Sequence, residues 1–473
     1  MYLSKTDFLE YLQCPKCLWL KKKRPNLYVA KEPTEFDKKN QKEGQEVECL
    51  ARELFQNGIL LSGEIKDLLN GTVQLIAQNK SPLFQASFIT ERKCLAKVDI
   101  LEFDPNSQHW NIYEVKSSTK IITDRGHNHI KDVTFQKLVL DEAGIPVGRV
   151  FIIHLNKDYI RNGELNIEEL FIATDITDDV NRAYDITVTE VDQALGLLRK
   201  ADIDMDSCPC INLTRSNHCS SFRVFNPVVP EYSVHDILRI RPEKIRSLID
   251  SGIVSVSDIS NSFELTEIQR RQVNLEKSQK ALIDQESIGQ ALMGLEYPLY
   301  FIDFETYMAA IPIIDGLPPH QHMPFQVSIH KLDLDGNLTH LEYLAENVDS
   351  AMPSLISFMK KTIPQKGSLV SWHKSFENSR NKEMAELYPE HSQFLHNLNS
   401  RTFDLEPIFK KYFLQPGFRG RSSLKRVLPV LLPQFSYENL DIQDGTEAMV
   451  NWRKMIFDDL SDSECDKIKE ALL

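Results

Sequence analysis

The sequence predicts an α/β protein of about three domains. Its 473 residues, at roughly 150 residues per domain, leave room for three separate cores. Strand-like apolar runs alternate with helical stretches in both halves of the chain, as in α/β layer folds. Glycine (18) and proline (22) are too scarce for a fibrous or low-complexity protein. No apolar run is long enough to cross a bilayer, so no membrane partner is expected.

Residues 1–226 are expected to form the first α/β domain. Apolar spacing near 3.6 predicts helices within residues 1–60. Residues 88–115 are strand-like on both sides of an Asp-Pro-Asn-Ser turn, which predicts a hairpin. A helix over 132–143 is expected to stop at Gly144, and a buried strand follows.

Residues 227–295 are expected to form a helical linker that begins at Pro227 and Pro230. Within it, residues 240–259 predict two short helices joined at a Gly-Ile turn, similar to a helix-hairpin-helix. Such a unit either binds the DNA backbone or only packs. The third domain, 296–473, repeats the α/β pattern, with strands expected over 299–304, 324–332 and 367–373 and helices over 352–361 and 377–387.

The formal net charge is −13, from 55 Lys and Arg against 68 Asp and Glu. This total disfavours a protein coated in positive charge, such as a histone-like binder, but leaves room for a basic groove. The bases concentrate in residues 1–24, with a local net charge of +4, and in residues 410–426, with +6. We expect the second segment either to contact nucleic-acid phosphates or to be a solvated face.

Asp99, Glu114 and Lys116 are the first candidate catalytic residues. Asp99 ends an apolar run, and Glu114 and Lys116 share one face of the next strand because side chains alternate. If the hairpin pairs, the two carboxylates converge and can hold Mg²⁺ or Mn²⁺, while the lysine orients water or stabilises developing charge. The alternative is a solvated strand on which these residues have no catalytic role.

These residues resemble the PD-(D/E)xK nuclease superfamily, and within it the RecB-like and CRISPR-associated exonucleases. The matching segments are 98–100 and 114–118, followed by Asp132 and Gln136 where that group carries a glutamine-bearing helix. The resemblance covers about residues 1–220. It implies a restriction-endonuclease-like domain that hydrolyses DNA, with Gln136 beside the active site. The group's metal-binding histidine is replaced here by Glu46 or Glu48.

Five of the eight cysteines lie in two clusters, Cys14 with Cys17 and Cys208 with Cys210 and Cys219. No export signal opens the sequence, so a cytoplasmic location is expected, where such thiols are free, metal-bound or catalytic. The clusters lie too far apart in sequence for a local zinc ribbon.

The split arrangement of these cysteines resembles the iron–sulfur RecB-like nucleases. It implies a [4Fe–4S] cluster held by Cys14, Cys208, Cys210 and Cys219. Zn²⁺ is the alternative ion, Cys17 the alternative N-terminal ligand, and His218 a substitute for one thiolate. The other three cysteines are expected to be ordinary residues of the core or surface.

Asp303 and Glu305 form a second candidate site, because their spacing places both carboxylates on one side of a strand. Such a pair suits two metal ions bridged by phosphate. The segment resembles the DnaQ-like, ribonuclease-H-fold 3′–5′ exonucleases with four acidic residues. In that resemblance Glu377 takes the second-motif position beside His373, and Asp404 is an auxiliary acid. The whole chain also resembles uncharacterised bacterial proteins that combine these two domains.

The fourth acid of the DnaQ-like scheme is expected from a helix near the C-terminus. Residues 467–473 look like the start of that helix, so the acid is expected after Leu473. Weaker candidates lie just before it. They are Asp458, Asp459, Asp462 and Asp466. The alternative is a degenerate domain kept for packing or for binding nucleic acid.

The residues and resemblances together predict a metal-dependent DNA nuclease, acting as an exonuclease on single-stranded or end-bearing DNA. A helicase or another repair or defence protein is the expected partner. Two alternatives stay open. One is a non-catalytic nucleic-acid-binding scaffold with a structural metal, and the other is a ribonuclease.

Overall fold

The computed structural model describes residues 2–435, 442 and 444–473, and the chain divides into two compact units. Unit 1 comprises Met1–Val228 with Ala310–Pro319, and unit 2 comprises Val229–Ala309 with His320–Leu473. Both units combine sheets with helices, so the predicted α/β class is confirmed. Across the described ranges, none of the helices has both the length and the apolar composition needed to span a bilayer.

Unit 1 is built from short and long strands interleaved with helices. Its strands are β1 (Leu3–Ser4), β2 (Ile59–Leu60), β3 (Leu83–Ile89), β4 (Cys94–Asp104), β5 (His109–Lys116), β6 (Thr123–Asp124), β7 (His127–Asn128), β8 (Val147–Leu155) and β9 (Phe171–Asp175). Its helices are α1 (Lys5–Gln13), α2 (Pro15–Lys23), α3 (Glu35–Ala51), α4 (Ile65–Ala77), α5 (His129–Glu142), α6 (Ile167–Leu170), α7 (Thr177–Arg199) and α8 (Phe222–Phe225).

The main sheet of unit 1 has the order β2-β3-β4-β5-β8-β9, with β1 paired to β4. The predicted hairpin is confirmed, because β4 and β5 are antiparallel and Asp104 pairs with His109. β5 and β8 are parallel, so the chain must cross over between them, and α5 lies in that crossover. One core cluster packs α1, α5 and α7 against the sheet, and a second holds residues of α3.

Side chains change faces in the middle of β3 and β4, at Gln85 and Asp99, which lie between the paired residues of the two strands. Val98 packs in the core cluster that contains α1 and α5, whereas Ile100 packs in the other cluster. Gln85 has a left-handed φ of 62°, which marks the same irregularity on β3. Opposite Asp99, the backbone N–H of Val115 donates to its Oδ2 at 2.9 Å. The sheet therefore opens locally at a carboxylate.

Unit 2 follows the same alternation. Its strands are β10 (Leu282–Ile283), β11 (Leu299–Met308), β12 (His322–Leu332), β13 (Leu338–Leu344), β14 (Leu369–Ser371), β15 (Thr402–Asp404) and β16 (Phe413–Leu414). Its helices are α9 (Pro242–Asp250), α10 (Glu267–Ser278), α11 (Gln285–Leu292), α12 (Ala351–Thr362), α13 (Ser375–Leu387), α14 (Ser392–Ser400), α15 (Glu406–Lys411), α16 (Leu424–Leu431), α17 (Gly445–Phe457) and α18 (Asp462–Leu472).

The main sheet of unit 2 has the order β13-β12-β11-β14-β15. β12 runs antiparallel to both of its neighbours, while β11, β14 and β15 are mutually parallel. The carboxyl ends of the three parallel strands thus meet at one edge, where open α/β sheets place their ligands. The segment predicted as a helical linker lies within unit 2, and its β10 pairs with β16.

The helix-hairpin-helix prediction is only half right. α9 forms as expected and is followed by a turn at Gly252, but the second helix is a single 3₁₀ turn over Val256–Asp258. β-Branched residues and serines dominate this stretch, and both disfavour a helix. Val256 and Ile259 instead pack with Ile245 in a small apolar core.

Gly367 supports the start of β11, the central strand of unit 2. Its φ is +89°, and a Cβ there would collide with the backbone oxygen of Pro298. We expect Gly367→Ala to lower the free energy of unfolding by about 2–4 kcal/mol. Urea unfolding of the full chain, followed by circular dichroism, measures this. Gly289→Ala on α11 is the control, since its Cβ would meet no atom within 4 Å; an equal loss in both variants would contradict the close-approach argument.

Candidate functional sites

The structure brings Asp99, Glu114, Lys116 and Gln136 together where the sheet of unit 1 opens. Glu114 is buried, and its Oε1 accepts a hydrogen bond from Lys116 Nζ at 2.7 Å. Its Oε2 accepts from Gln136 Nε2 at 2.8 Å. The parallel pairing of β5 with β8 leaves α5 to cover this face, so the glutamine comes from the crossover helix.

Asp132 and Lys5 complete this group, which we call the β5 site. Lys116 Nζ also lies 2.7 Å from Asp132 Oδ2, on the first turn of α5. Lys5 Nζ, from the first turn of α1, lies 2.7 Å from Glu114 Oε1 and 3.4 Å from Asp132 Oδ1. Sequence reasoning missed Lys5, because nothing in its local pattern links α1 to the strands.

The electrostatics of the β5 site shift the pKa values of Asp99 and Glu114 in opposite directions. Burial raises the pKa of Asp99 to about 7, and the negative charge of Glu114 adds to the rise. Burial acts in the same direction on Glu114, but Lys116 and Lys5 outweigh it and hold its pKa well below the usual range. Glu114 is thus ionised, while Asp99 ionises most readily when a further cation is present.

The donor set of the β5 site suits a hard divalent cation. Carboxylate oxygens are the ligands that Mg²⁺ and Mn²⁺ prefer. Gln136 Oε1 is buried and has no hydrogen-bond partner in the described part of the chain, so it adds an unused oxygen. Of the two glutamates expected near the site, Glu48 contacts Gln85 and pairs with Arg52, whereas Glu46 is exposed.

The four predicted cysteine ligands converge in unit 1. The Sγ atoms of Cys14, Cys208, Cys210 and Cys219 lie within 4.8 Å of one another, and all four residues are buried. Cys14 ends α1 and precedes Pro15 at the start of α2, while the other three follow α7. The centre therefore ties the beginning of the unit to its end.

Neither substitute ligand belongs to this group of four, although the Cys17 thiol makes a side-chain hydrogen bond with Cys219. Cys17 Sγ contacts Ser220 Oγ at 3.5 Å and Ser221 Oγ at 3.6 Å. The His218 ring stacks on Phe222, and its Nε2 lies 3.1 Å from the Leu213 oxygen. The remaining cysteines differ in burial. They are Cys49 (exposed), Cys94 (buried) and Cys465 (half-buried).

In unit 2, Asp303, Glu305 and Glu377 form a second acidic group at the carboxyl edge of the sheet. Burial raises the pKa of Asp303, and burial together with Asp303 and Asp444 raises that of Glu305 to about 7. Burial, with Asp303 and Asp404, likewise raises the pKa of Glu377 to about 7. Glu377 Oε2 is buried and lacks a hydrogen-bond partner among the residues described.

Asp444 is an acid that sequence reasoning did not assign to this group. Its Oδ1 caps α17 by accepting from the backbone N–H groups of Thr446 and Glu447 at 2.9 and 3.0 Å. A Cβ on Gly445 would lie 2.6 Å from Glu305 Oε2, so the helix start approaches Glu305 closely. The weak helix-capping signal Asp-Gly-Thr-Glu was the available sequence clue.

The two expected neighbours of this acidic group, His373 and Asp404, both form hydrogen bonds with Glu406. His373 Nδ1 lies 2.9 Å from Glu406 Oε2, and Asp404 Oδ1 accepts from the backbone N–H groups of both residues at 3.1 Å. Of the proposed substitutes for a fourth acid, Asp458 pairs with Arg453 at 3.3 Å. Asp459 precedes α18, which contains Asp462 and Asp466.

The two basic segments are partly neutralised within their own units. In unit 2, Arg419 pairs with Glu231 at 3.2 Å and Arg421 lies 3.7 Å from Asp236. In unit 1, Lys22 pairs with Asp7 at 2.6 Å. The local net charge therefore overstates the positive charge available to a phosphate.

Comparison with known proteins identifies relatives without an assigned activity. Residues 300–423 match a family described as a domain of unknown function, DUF2779. The chain is also 25% identical over 265 residues to an uncharacterised protein of Ureaplasma parvum, UU173. That match covers 50% of this chain and 37% of the Ureaplasma protein. The chain thus spans about a third of the length of this relative.

Proposed function

We propose that the chain is a metal-dependent nuclease whose phosphodiester hydrolysis takes place at the β5 site. The observation that supports this most strongly is the convergence of three carboxylates, two lysines and a glutamine where the sheet opens. These groups come from β4, β5, α1 and α5, which are distant in sequence. A solvated strand would not bury Glu114 against two ammonium groups.

In this proposal Asp99 and Glu114 hold Mg²⁺ or Mn²⁺. When bound, the ion supplies Lewis acidity toward a phosphate oxygen and lowers the pKa of a water. Lys116 stabilises the negative charge that develops on the phosphate, and its second contact, to Asp132, fixes its position. Gln136 orients Glu114 through Oε2. The fold proposed for unit 1 is the RecB-like PD-(D/E)xK domain.

For unit 2 we propose a ribonuclease-H-like, DnaQ-type domain with Asp303, Glu305 and Glu377 as metal ligands. Two of these acids lie on the central strand, and Glu377 follows β14, at the edge where parallel strands end. Asp444, next to Glu305, supports a more complete acidic group than the sequence indicated. DNA as substrate, a helicase partner and a phosphate contact by residues 410–426 stay predictions.

The four-cysteine centre is proposed as a structural metal site. Around a single tetrahedral ion such as Zn²⁺, with sulfur at about 2.3 Å, thiolates lie about 3.8 Å from one another. In a [4Fe–4S] cluster each thiolate binds a different iron, which spreads the sulfurs further. The spacing within 4.8 Å therefore favours Zn²⁺, and the iron–sulfur cluster stays the competing prediction.

The test of this function is cleavage by the purified full chain. Labelled single-stranded DNA, double-stranded DNA and single-stranded RNA are incubated with Mg²⁺, Mn²⁺ or EDTA. We expect cleavage of single-stranded DNA with either ion and none with EDTA. Cleavage of RNA alone would favour the ribonuclease. Salt-sensitive binding without any cleavage would favour the scaffold and overturn the proposal.

A further inference from the structure

We propose that Lys5 is a resident counter-cation of the β5 site, which a divalent ion must displace from Glu114 in order to bind. This inference rests on the function proposed above. Two ammonium groups, those of Lys5 and Lys116, each lie 2.7 Å from the same oxygen, Glu114 Oε1. An oxygen shared by two cations is a poor ligand for a third, because like charges repel at this distance.

The contacts show which lysine gives way. Lys116 Nζ lies 2.7 Å from both Glu114 and Asp132, so two carboxylates hold it equally. Lys5 Nζ is as close to Glu114 but 3.4 Å from Asp132. Lys5 therefore repeats the bridge that Lys116 makes, with one weaker contact. Its loss leaves the carboxylates bridged by two contacts of 2.7 Å, whereas loss of Lys116 leaves only the weaker bridge made by Lys5.

The backbone around Lys5 is held in place, so that displacement involves the side chain. Leu3 pairs with Cys94 on β4, and Ser4 and Asp7 form a capping box at the start of α1. Lys5 also stands in the first turn of α1, at the positive end of the helix dipole, where a cation is unfavourable. The carboxylates of the site compensate for that position. A four-carbon stem lets the head group move away without moving the helix.

The experiment measures Mn²⁺ binding to the full chain without nucleic acid, by electron paramagnetic resonance of the free ion. Lys5→Met is expected to bind Mn²⁺ about tenfold more tightly than the wild type, because a competing charge is removed. Lys137→Met is the matched control, since it removes a lysine of α5 that pairs with Asp141. Its affinity should equal that of the wild type. Circular dichroism checks folding, and Lys5→Gln serves as the second variant.

The outcomes separate this inference from the proposed function. If Asp99→Asn binds as many Mn²⁺ ions as the wild type, any bound ion lies outside the β5 site and the metal site itself is wrong. If Asp99→Asn binds fewer ions than the wild type, but Lys5→Met and Lys5→Gln bind no more tightly than the wild type, Lys5 is not a counter-cation. Tighter binding in Lys137→Met as well would reduce the effect to overall charge and also overturn the inference.

Discussion

Lys116→Ala and Asp99→Ala are each expected to slow Mn²⁺-dependent cleavage of single-stranded DNA by at least about 1,000-fold. Asp99 lies where the sheet opens and offers its carboxylate to a cation. Lys116 is the charged group that both Glu114 and Asp132 hold in place. In the proposed mechanism, removing either group takes away an interaction that the transition state needs. The rate of product formation from an end-labelled oligonucleotide measures the loss.

Two further variants make this result specific. Lys137→Ala changes a lysine of α5 that pairs with Asp141, and it should cleave at the wild-type rate. Asp303→Ala removes a proposed metal ligand from the acidic group in unit 2. Retained cleavage in Lys116→Ala and Asp99→Ala, with loss only in Asp303→Ala, would move the chemistry to unit 2.

Cys14→Ser is expected to destabilise unit 1 by about 5 kcal/mol, since a structural thiolate site contributes on the order of 10 kcal/mol to folding. Cys14 lies between α1 and α2, so weakening the proposed metal site also releases the helix that carries Lys5. A lower unfolding temperature, together with metal loss measured by elemental analysis, is the expected result. The exposed Cys49→Ser should change neither quantity.

Absorption of anaerobically purified protein identifies the metal in the same experiment. A broad band near about 400 nm, lost in Cys14→Ser, indicates the iron–sulfur cluster. A colourless protein with zinc indicates the single ion. Full stability and unchanged metal content in Cys14→Ser would contradict a structural role for the centre altogether.

Much of the secondary structure could be predicted because it depends on short-range patterns. Apolar alternation and a four-residue turn were enough for the β4–β5 hairpin. Three strands of unit 2 were also predicted, β11 and β12 with shorter ends than observed and β14 with longer ones. The predicted second helix of residues 240–259 was wrong, because the β-branched residues of this stretch limit it to a single 3₁₀ turn. The cysteine set was predictable because thiols are rare and their spacing is distinctive.

The sequence alone determined the α/β class, the spacing of the cysteines and the candidate catalytic residues of β4 and β5. Only the tertiary structure decided that Lys5 shares Glu114 with Lys116, that Glu48 rather than Glu46 approaches the site, and that Asp444 lies near Glu305. The physical reason is the separation along the chain over which each kind of interaction acts. Periodicity and turns act over a few residues, whereas these contacts depend on where helices dock against a sheet, which is set by packing among residues far apart in the chain.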